Sequence, residues 1–533
     1  MIAFAPVAVL FLAALLVAVL QRVRPSIGYA WLTGSLSALV ALGLMVYLRW
    51  RLPQQVVVSG WLPFSRFTDS PIFGLDGSSW PYALSLTAVT AAVMLTASAR
   101  LGYRINPWAW VGALLVAGTG LLAVYSANLL TLALTWTAID LIDLVILASY
   151  SENRSLGVQA VIAFSLRVTG MLMVILAALI NRSQGIPPTF DGLPGLSALF
   201  LLLAAGLRLG VLPLNLPALP DLRVRRGLGT ILRMASAASS LVVLARLPAQ
   251  PFSPGLEIWL VALTSLAVLY AAGMWLTAAD EIAGRPYWLI ALAGMAVVSA
   301  LRGEPRAGMA WGVTLLLSGS LMFLYSARMR GTLALPLLGL LGLSALPFTP
   351  AAGGWSGVLK GSFNFWELLL LVSHLLLLLG YLRLAIRPGD NLRNMERWVQ
   401  VIYPFGLLLM VAAHWMVGTI GWAGSLSLGV WWAAPVTGIG LVGGGGLWLL
   451  INRAELSSSG PVNWYLNTAR LTGRVVSTVF GLGWLYNLLW AVYRRLEQAI
   501  QILTNILEGD GGVLWVFVLL ALFASLLATR LTP

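Results

Sequence analysis

The sequence predicts an all-α polytopic membrane protein of about sixteen transmembrane helices. Three observations carry that expectation. Only 9% of the 533 residues are charged while 59% are hydrophobic, and the mean hydropathy is +0.90. A soluble protein carries about 25% charged residues, so this chain cannot coat a water-facing surface of its size. Apolar windows of about 17–25 residues, long enough to cross a bilayer as helix, follow one another with short gaps. There is no cysteine, which excludes a disulfide scaffold and a cluster-binding chain.

The windows fall near 2–21, 27–48, 80–99, 107–126, 128–149, 157–181, 195–216, 226–247, 256–277, 286–302, 307–327, 332–350, 364–385, 402–422, 429–452 and 512–530. The first lacks a basic n-region and is followed by Arg22 and Arg24, so it reads as a retained span. Residues 53–79 form the one sizeable loop. Within it, VVVSGWLPF and RFTDSPIFGLDG read as two strands of a hairpin lid.

Arginine placement sets the orientation. The net charge is +14, and of 32 basic residues only Lys360 is a lysine. With the N-terminus outside, the inside loops hold Arg22, Arg24, Arg100, Arg104, Arg154, Arg223, Arg225, Arg226, Arg285, Arg328, Arg330, Arg383, Arg387, Arg393 and Arg397, and the 453–511 linker adds more. The outside loops hold Arg49, Arg51, Arg66, Arg182, Arg246, Arg302 and Arg306. Inside exceeds outside by roughly three to one, the positive-inside bias of a prokaryotic inner membrane. The basic excess therefore implies orientation rather than nucleic-acid binding. Arg-for-Lys drift in a GC-rich or heat-adapted genome is one cause of the missing lysines; loss of a titrating role is another.

Two windows are interrupted. The seventh carries Pro213, Pro217 and Pro220; the twelfth carries Pro347 and Pro350 with Gly353 and Gly354. Interior prolines disrupt helix hydrogen bonds. Membranes tolerate broken backbone only under cover of protein or a water-filled cavity. The breaks stand five windows apart. That spacing predicts two inverted five-helix repeats, each with one broken helix, a pattern that points to a transport path. The plainer alternative is that Pro and Gly are common in membrane helices.

Five segments carry a family resemblance. IFGLDGSSWPYALSL (72–86) is similar to an "LDGLS" motif, and YSANLLTLALTW (125–136) to "SDNLLLLFVFWE". LRVTG (166–170) is similar to "NRVGD", GLRLGVLPLNLPALPD (206–221) to "AKxxQxPLHxWLPD", and ALPFTPAAGGWSG (345–357) to "GLPPxAGFWSK". In this order they resemble the antiporter-like membrane subunits of respiratory complex I, shared with group-4 hydrogenases and multisubunit cation/proton antiporters. The resemblance implies ion translocation within a larger complex, through a carboxylate on helix five, a lysine on broken helix seven and further lysines or histidines on helices eight, eleven and twelve. Each of those groups must change protonation near neutral pH.

The chain departs from that pattern at nearly every titrating position. The helix-five Glu aligns with Thr137, with Asp140 and Asp143 further on. The helix-seven Lys aligns with Arg208 and its His with Asn215. The helix-eight His aligns with Arg233. The Asp of the helix-six motif aligns with Gly170, beside retained Arg167. The helix-twelve Lys aligns with Gly357, and Lys360 is expected three residues later on the same helical face. Three readings of this core stand open. Asp140 and Arg208 form a buried ion pair that fixes helix five to helix seven, since arginine does not release its proton. Alternatively, protons move through Asp140, Asp143, Glu367, Lys360 and water. Or the acids face a loop or the lipid headgroups.

Blander expectations cover the rest. His374 and His414 read as packed histidines with no metal-ligand spacing around them, so no metal is expected. The 23 tryptophans read mostly as interface anchors, as at Trp61, Trp80, Trp108 and Trp431. GLVGGGGLW (440–448) lacks the Lys-Ser/Thr of a phosphate loop and reads as a close-packing surface. From Trp484 onward, Leu485, Leu488, Leu489, Val492, Leu496, Ile500, Leu503 and Leu507 repeat at helical spacing, with Arg494, Arg495, Glu497, Gln498 and Gln501 on other faces. That predicts a lateral amphipathic helix.

The expected organisation is 1–106, N-terminal helices with the outside hairpin; 107–247 and 256–385, the two repeats; 402–452, further helices; 453–511, the lateral linker; and 512–533, a terminal anchor. Expected partners are other membrane subunits and the lipid bilayer, with no nucleic acid. No catalytic residue, cofactor or redox site is assignable, so any redox reaction would belong to partner subunits. A non-pumping adaptor subunit and a stand-alone transporter are the alternatives.

Overall fold

The computed structural model describes residues 2–23, 27–58, 70–100, 107–149, 154–215, 226–249, 252–360, 363–422 and 424–455, with scattered helical positions between 490 and 521. The chain divides into two units, Met1–Ser459 and Gly460–Pro533. In the second unit the described residues are helical and exposed, among them Arg494, Arg495, Glu497, Gln498 and Gln501. The leucine face expected from Leu485 onward and most of the terminal span lie outside the described residues.

The first unit is mainly helical, with two short strand pairs. Its helices are α1 (Ala5–Val23), α2 (Ile27–Leu48), α3 (Trp80–Thr96), α4 (Trp108–Val124), α5 (Leu129–Ser149), α6 (Arg154–Ser183), α7 (Gly195–Leu209) and α8 (Arg226–Ala245). Then follow α9 (Pro254–Thr277), α10 (Glu281–Leu301), α11 (Pro305–Leu324), α12 (Ala334–Leu343), α13 (Trp355–Val358), α14 (Phe365–Ile386), α15 (Arg397–Ile420) and α16 (Ala433–Glu455). Among the described residues, eleven helices are long and apolar enough to cross a membrane, and four shorter apolar helices accompany them. Each of the first fifteen apolar windows holds one of these. A helix is the natural state of such a window, because it satisfies every backbone group without water.

Local chemistry fixes several starts. Asp280 caps α10 by accepting from the backbone N–H groups of Ile282 and Ala283. Asn364 and Glu367 form a reciprocal capping box at α14. Proline stands in the first turn of α3, α9 and α11, where its missing N–H costs nothing.

The centre is formed by α3, α8 and α11, which are almost wholly enclosed. Around them a neighbour order recurs. Helix α4 packs on α5 and α8, α5 on α6, α6 on α7, and α7 on α8. Helix α9 packs on α10 and α14, α10 on α11, α11 on α12, and α12 on α14.

Both interrupted windows end early. Helix α7 stops at Leu209, where Gly210 takes a left-handed conformation (φ 80°) that a side chain would disfavour. Pro213 follows in the turn; Pro217 and Pro220 lie outside the described residues. Helix α12 stops at Leu343, and Ala345 and Phe348 flank Pro347 with positive φ values of 54° and 63°. Non-glycine residues in that region mark stored backbone strain. Pro350 precedes the short α13.

The 53–79 loop contains the expected antiparallel pair, displaced toward its ends. Strand β1 (Gln54–Val57) pairs with β2 (Ile72–Leu75), Gln54 facing Leu75. Strand β2 also clasps the α4–α5 connection: the Gly74 N–H donates to the Tyr125 carbonyl at 2.6 Å and the Ala127 N–H to the Ile72 carbonyl. A second, two-residue parallel pair, β3 (Ala327–Arg328) with β4 (Asp390–Asn391), had no alternation to announce it.

Trp80 departs from the expectation of interface anchoring. Trp80, Trp136, Trp275, Trp288, Trp311 and Trp355 are fully buried. Trp80 donates to the Met45 carbonyl at 2.9 Å. Trp108 and Trp431 are exposed; Trp61 lies outside the described residues. In this bundle the large indoles fill space between helices; Trp80, Trp275, Trp288 and Trp311 donate to backbone carbonyls, while Trp136 and Trp355 Nε1 have no partner among the described residues.

Candidate functional site

Helix α5 presents Asp140 and Asp143 three residues apart, on one face. Both carboxylates are 2% exposed. Facing them is Arg208 in the last turn of α7, its side chain enclosed. The guanidinium grips Asp140 with two parallel hydrogen bonds, Nη1 to Oδ2 at 2.6 Å and Nη2 to Oδ1 at 2.8 Å. This fork geometry is the strong, direction-fixing form of an arginine–carboxylate pair. Nη1 also reaches the Arg167 carbonyl at 3.4 Å.

Three neighbours shape that grip. Trp136, one turn before Asp140, lies under the guanidinium at 4.2 Å from ring centroid to Cζ, a cation–π contact. Arg167 on α6 pairs with Asp143 Oδ2 and stands 3.6 Å from Asp140 Oδ1. Gly170, one turn beyond Arg167, leaves room for the Arg208 stem: a Cβ there would stand 3.1 Å from Arg208 Cγ and 3.2 Å from the Ala204 carbonyl. The four charges sum to zero. Arg208 also sits at the C-terminal end of a broken helix, where the backbone dipole favours a cation.

A cavity of about 60 Å³ adjoins the cluster, lined by Asp143, Arg167, Arg208, Asn215, Arg233 and Ser236 among others. It has room for several waters. Asp143 Oδ1 and Arg208 Nε have no hydrogen-bond partner among the described residues. Buried polar atoms of this kind are normally satisfied by ordered water. Asn215 closes the broken end of α7, its Nδ2 donating to the carbonyls of Leu207 and Pro213, both at 3.1 Å. Arg233 of α8 lines the cavity wall. Thr137, where the resemblance places the acid, spends its hydroxyl on the Ala133 carbonyl.

Lys360 and Glu367 do not join this cluster. Lys360 lies beyond α13 rather than on a helical face. It pairs with Glu304 at 3.0 Å, both about 40% exposed, and donates to the Arg302 carbonyl. Glu367 caps α14 and accepts from buried Arg302 at 2.8 Å. Among the described residues, no hydrogen bond or ion pair connects this second cluster to Asp140. The expectation that Lys360 shares a helical face with Gly357 fails because α13 ends at Val358. Arg302 and Glu304 were missed; the Asn-x-x-Glu spacing of residues 364–367 was the available signal.

His374 is wedged between Trp311 and Trp355, with ring centroids 5.5 and 5.2 Å away. Its Nε2 meets the carbonyl of Leu343, the last residue of α12, at 3.0 Å. It thus caps the second broken helix much as Asn215 caps the first. His414 contacts Thr314 Oγ1 at 3.2 Å. Gly440 lies against Leu375 of α14, a close approach of α16. Among the described residues, no group of three or more His, Cys, Asp or Glu stands close enough to hold a metal.

No family profile matches the sequence, and no curated protein does either. Solved structures do match in fold. The chain is similar to a chain of the membrane-bound sulfane sulfur reductase, an archaeal respiratory membrane complex, with a TM-score of 0.68 and 15% identity over 98% of this chain and 99% of that one. It is similar to a chain of the Mrp complex from Dietzia sp. DQ12-45-1b, with a TM-score of 0.75 and 15% identity over 100% of this chain and 63% of that one. It is similar to a chain of respiratory complex I from Thermus thermophilus, with a TM-score of 0.58 and 20% identity over 80% of this chain and all of that one. The chain thus shares its polytopic helical fold with chains of these three membrane complexes.

Proposed function

We propose that this chain is an antiporter-like membrane subunit of a multisubunit ion-translocating complex of the complex-I type, in which the first-half ion path has become a fixed ion pair. The observation that carries the reading is the two-pronged Asp140–Arg208 grip. A lysine in that place exchanges its proton; a guanidinium does not. The pair therefore holds α5 to α7 and cannot be loaded and unloaded with each turnover. In this reading α4–α8 and α9–α12 with α14 are the two inverted repeats. The recurring neighbour order supports that division. The N-terminus lies outside, as the arginine distribution favours for a prokaryotic inner membrane. The partners are further membrane subunits, which supply any redox chemistry.

A second reading rests on one feature, the unpartnered Asp143 Oδ1 facing the cavity. There a water-fed carboxylate carries protons beside the fixed pair. One experiment separates the readings. The complex is reconstituted with Asp140→Asn or Asp143→Asn, and protons moved per turnover and assembly yield are compared with wild type. The fixed-pair reading expects unchanged proton stoichiometry in both, with lower assembly for Asp140→Asn. Lost stoichiometry with intact assembly in Asp143→Asn would favour the carboxylate path. A chain that transports alone, without copurifying subunits, would sink both.

A further inference from the structure

One corner of the bundle holds more cations than its carboxylates can match. Arg383 and Arg387, at the end of α14, reach across to the end of α9 and donate to the Ala278 and Ala279 carbonyls respectively. Arg328, in β3, donates to the Leu384 carbonyl at 3.1 Å. The three guanidiniums are thus each held on a neutral carbonyl near the ends of α9 and α14. Helix C-terminal carbonyls account for one N–H of each. They leave the charges of Arg383 and Arg387 uncompensated, while Arg328 is attracted by Glu281 and lies over the Tyr325 ring at 4.9 Å. Of the three carboxylates near this corner, Asp280 caps α10, Glu281 pairs with Arg226 and also attracts Arg328, and Asp390, exposed in β4, makes no ion pair with these arginines. Among the described residues, none of the three arginines has a carboxylate within ion-pair distance.

The surroundings give the missing anion a shape. The corner lies where transmembrane helices end, at headgroup depth. Apolar surface adjoins it: Ile386 is exposed at the end of α14. Helix α12, which begins shortly after Arg328 and packs on α14, exposes Leu337, Leu338 and Leu341. A free anion would use the arginines and leave those leucines idle. An anionic lipid uses both.

We propose that the Arg328–Arg383–Arg387 corner binds the phosphate of an anionic phospholipid, with its acyl chains along the exposed leucines of α12. The phosphate bridges the ends of α9 and α14. The acyl chains cover the intact half of the second broken helix, so the lipid steadies the element that carries the strained Ala345–Phe348 turn.

The test uses the full chain in its complex, stripped of lipid in a neutral detergent. Phosphatidylglycerol, phosphatidylcholine or inorganic phosphate is added at matched concentration, and binding is read by native mass spectrometry and thermal unfolding. Phosphatidylglycerol is expected to bind and to raise the unfolding temperature, and the other two are not. Arg387→Gln, at an exposed position, should weaken phosphatidylglycerol binding about five-fold, and Arg383→Gln with Arg387→Gln about five-fold again, at roughly 1 kcal/mol per arginine. Equal binding of phosphatidylcholine overturns the proposal. So does an equal effect of inorganic phosphate, which would assign the corner to a free anion. Unchanged affinity in Arg387→Gln overturns it as well. Should the double variant fail to fold, the lipid contrast on the unaltered protein still decides.

Discussion

Replacing Asp140 by Asn removes one of two negative charges from a buried group of two carboxylates and two guanidiniums. Arg208 then keeps one short acceptor in place of two, and its remaining contact, the Arg167 carbonyl at 3.4 Å, is long. Asp143 already holds Arg167 through its Oδ2. The group goes from neutral to a net charge of +1, with Asp140, Asp143 and Arg208 all buried. Breaking a buried pair from one side costs about 3–5 kcal/mol, roughly a hundred-fold or more in the folded-to-unfolded ratio. The double variant Asp140→Asn with Arg208→Gln removes both charges and restores neutrality, so it should be less damaging than the sum of its parts by about 0.5–3 kcal/mol. Arg208→Lys keeps the charge and loses the fork and most of the Trp136 stacking, so it should fall between wild type and Asp140→Asn. The assay is unfolding of the purified protein in mixed micelles titrated with a denaturing detergent, followed by loss of helicity. An Asp140→Asn cost under about 1 kcal/mol, or strict additivity in the double variant, would refute the fixed-pair argument.

Other substitutions probe the same physics elsewhere. Gly170→Ala puts a methyl group against the Arg208 stem and the Ala204 carbonyl and should cost about 1–3 kcal/mol in the same assay. Glu367→Gln strands buried Arg302 and weakens the α14 cap, for about 3–5 kcal/mol; Lys360→Met breaks only a half-exposed pair and should cost under about 1 kcal/mol. Asp76, in the loop before α3, carries a pH signature. Burial raises its pKa, but Arg246 and the hydrogen bonds from Ser79 and Ser78 outweigh that, and the net value is lowered from 3.8. A carboxylate with a depressed folded pKa contributes stability that is complete above pH 3.8 and lost as pH falls through the folded value. Asp76→Asn should therefore flatten the acid limb of a stability-versus-pH curve and leave the neutral region's slope unchanged.

The bundle was legible because bilayer thickness fixes helix length, so a hydropathy window and a helix are nearly the same object. The breaks at Gly210 and after Leu343 were legible through proline. What composition could not assign was partnership. Asp143 and Arg167 are separated by a loop and two helix halves, and nothing in α6 says which of its faces meets α5. Lys360 was misplaced because a helical period was carried past Val358, where the chain leaves the helix. Trp80 was misread for a related reason: an indole N–H can be satisfied by a backbone carbonyl as well as by the headgroup region, and sequence does not say which.

The departures from the antiporter-like pattern at helices five, six and seven make physical sense as one change. A guanidinium is longer and wider than an ammonium and binds best in a fork. To present the fork without a clash, the acid must stand opposite the end of the stem, and the neighbouring helix must yield space along it. The first condition is met by an acid at Asp140, one turn past Thr137. The second is met by Gly170, where the pattern has an acid and where even a methyl group would crowd Arg208. Arg167, kept from the pattern, then takes Asp143 and balances the charge. Restoring a single member should accordingly fail. Arg208→Lys alone leaves an ammonium short of Asp140. Asp140→Ala with Thr137→Glu alone sets the acid a turn away from the fork. Only Thr137→Glu, Asp140→Ala and Arg208→Lys together rebuild an exchangeable pair. If the complex carrying all three moves more protons per turnover than wild type, the fixed pair is what silenced this half of the path. If it assembles and the stoichiometry stays where it was, the loss lies elsewhere in the chain.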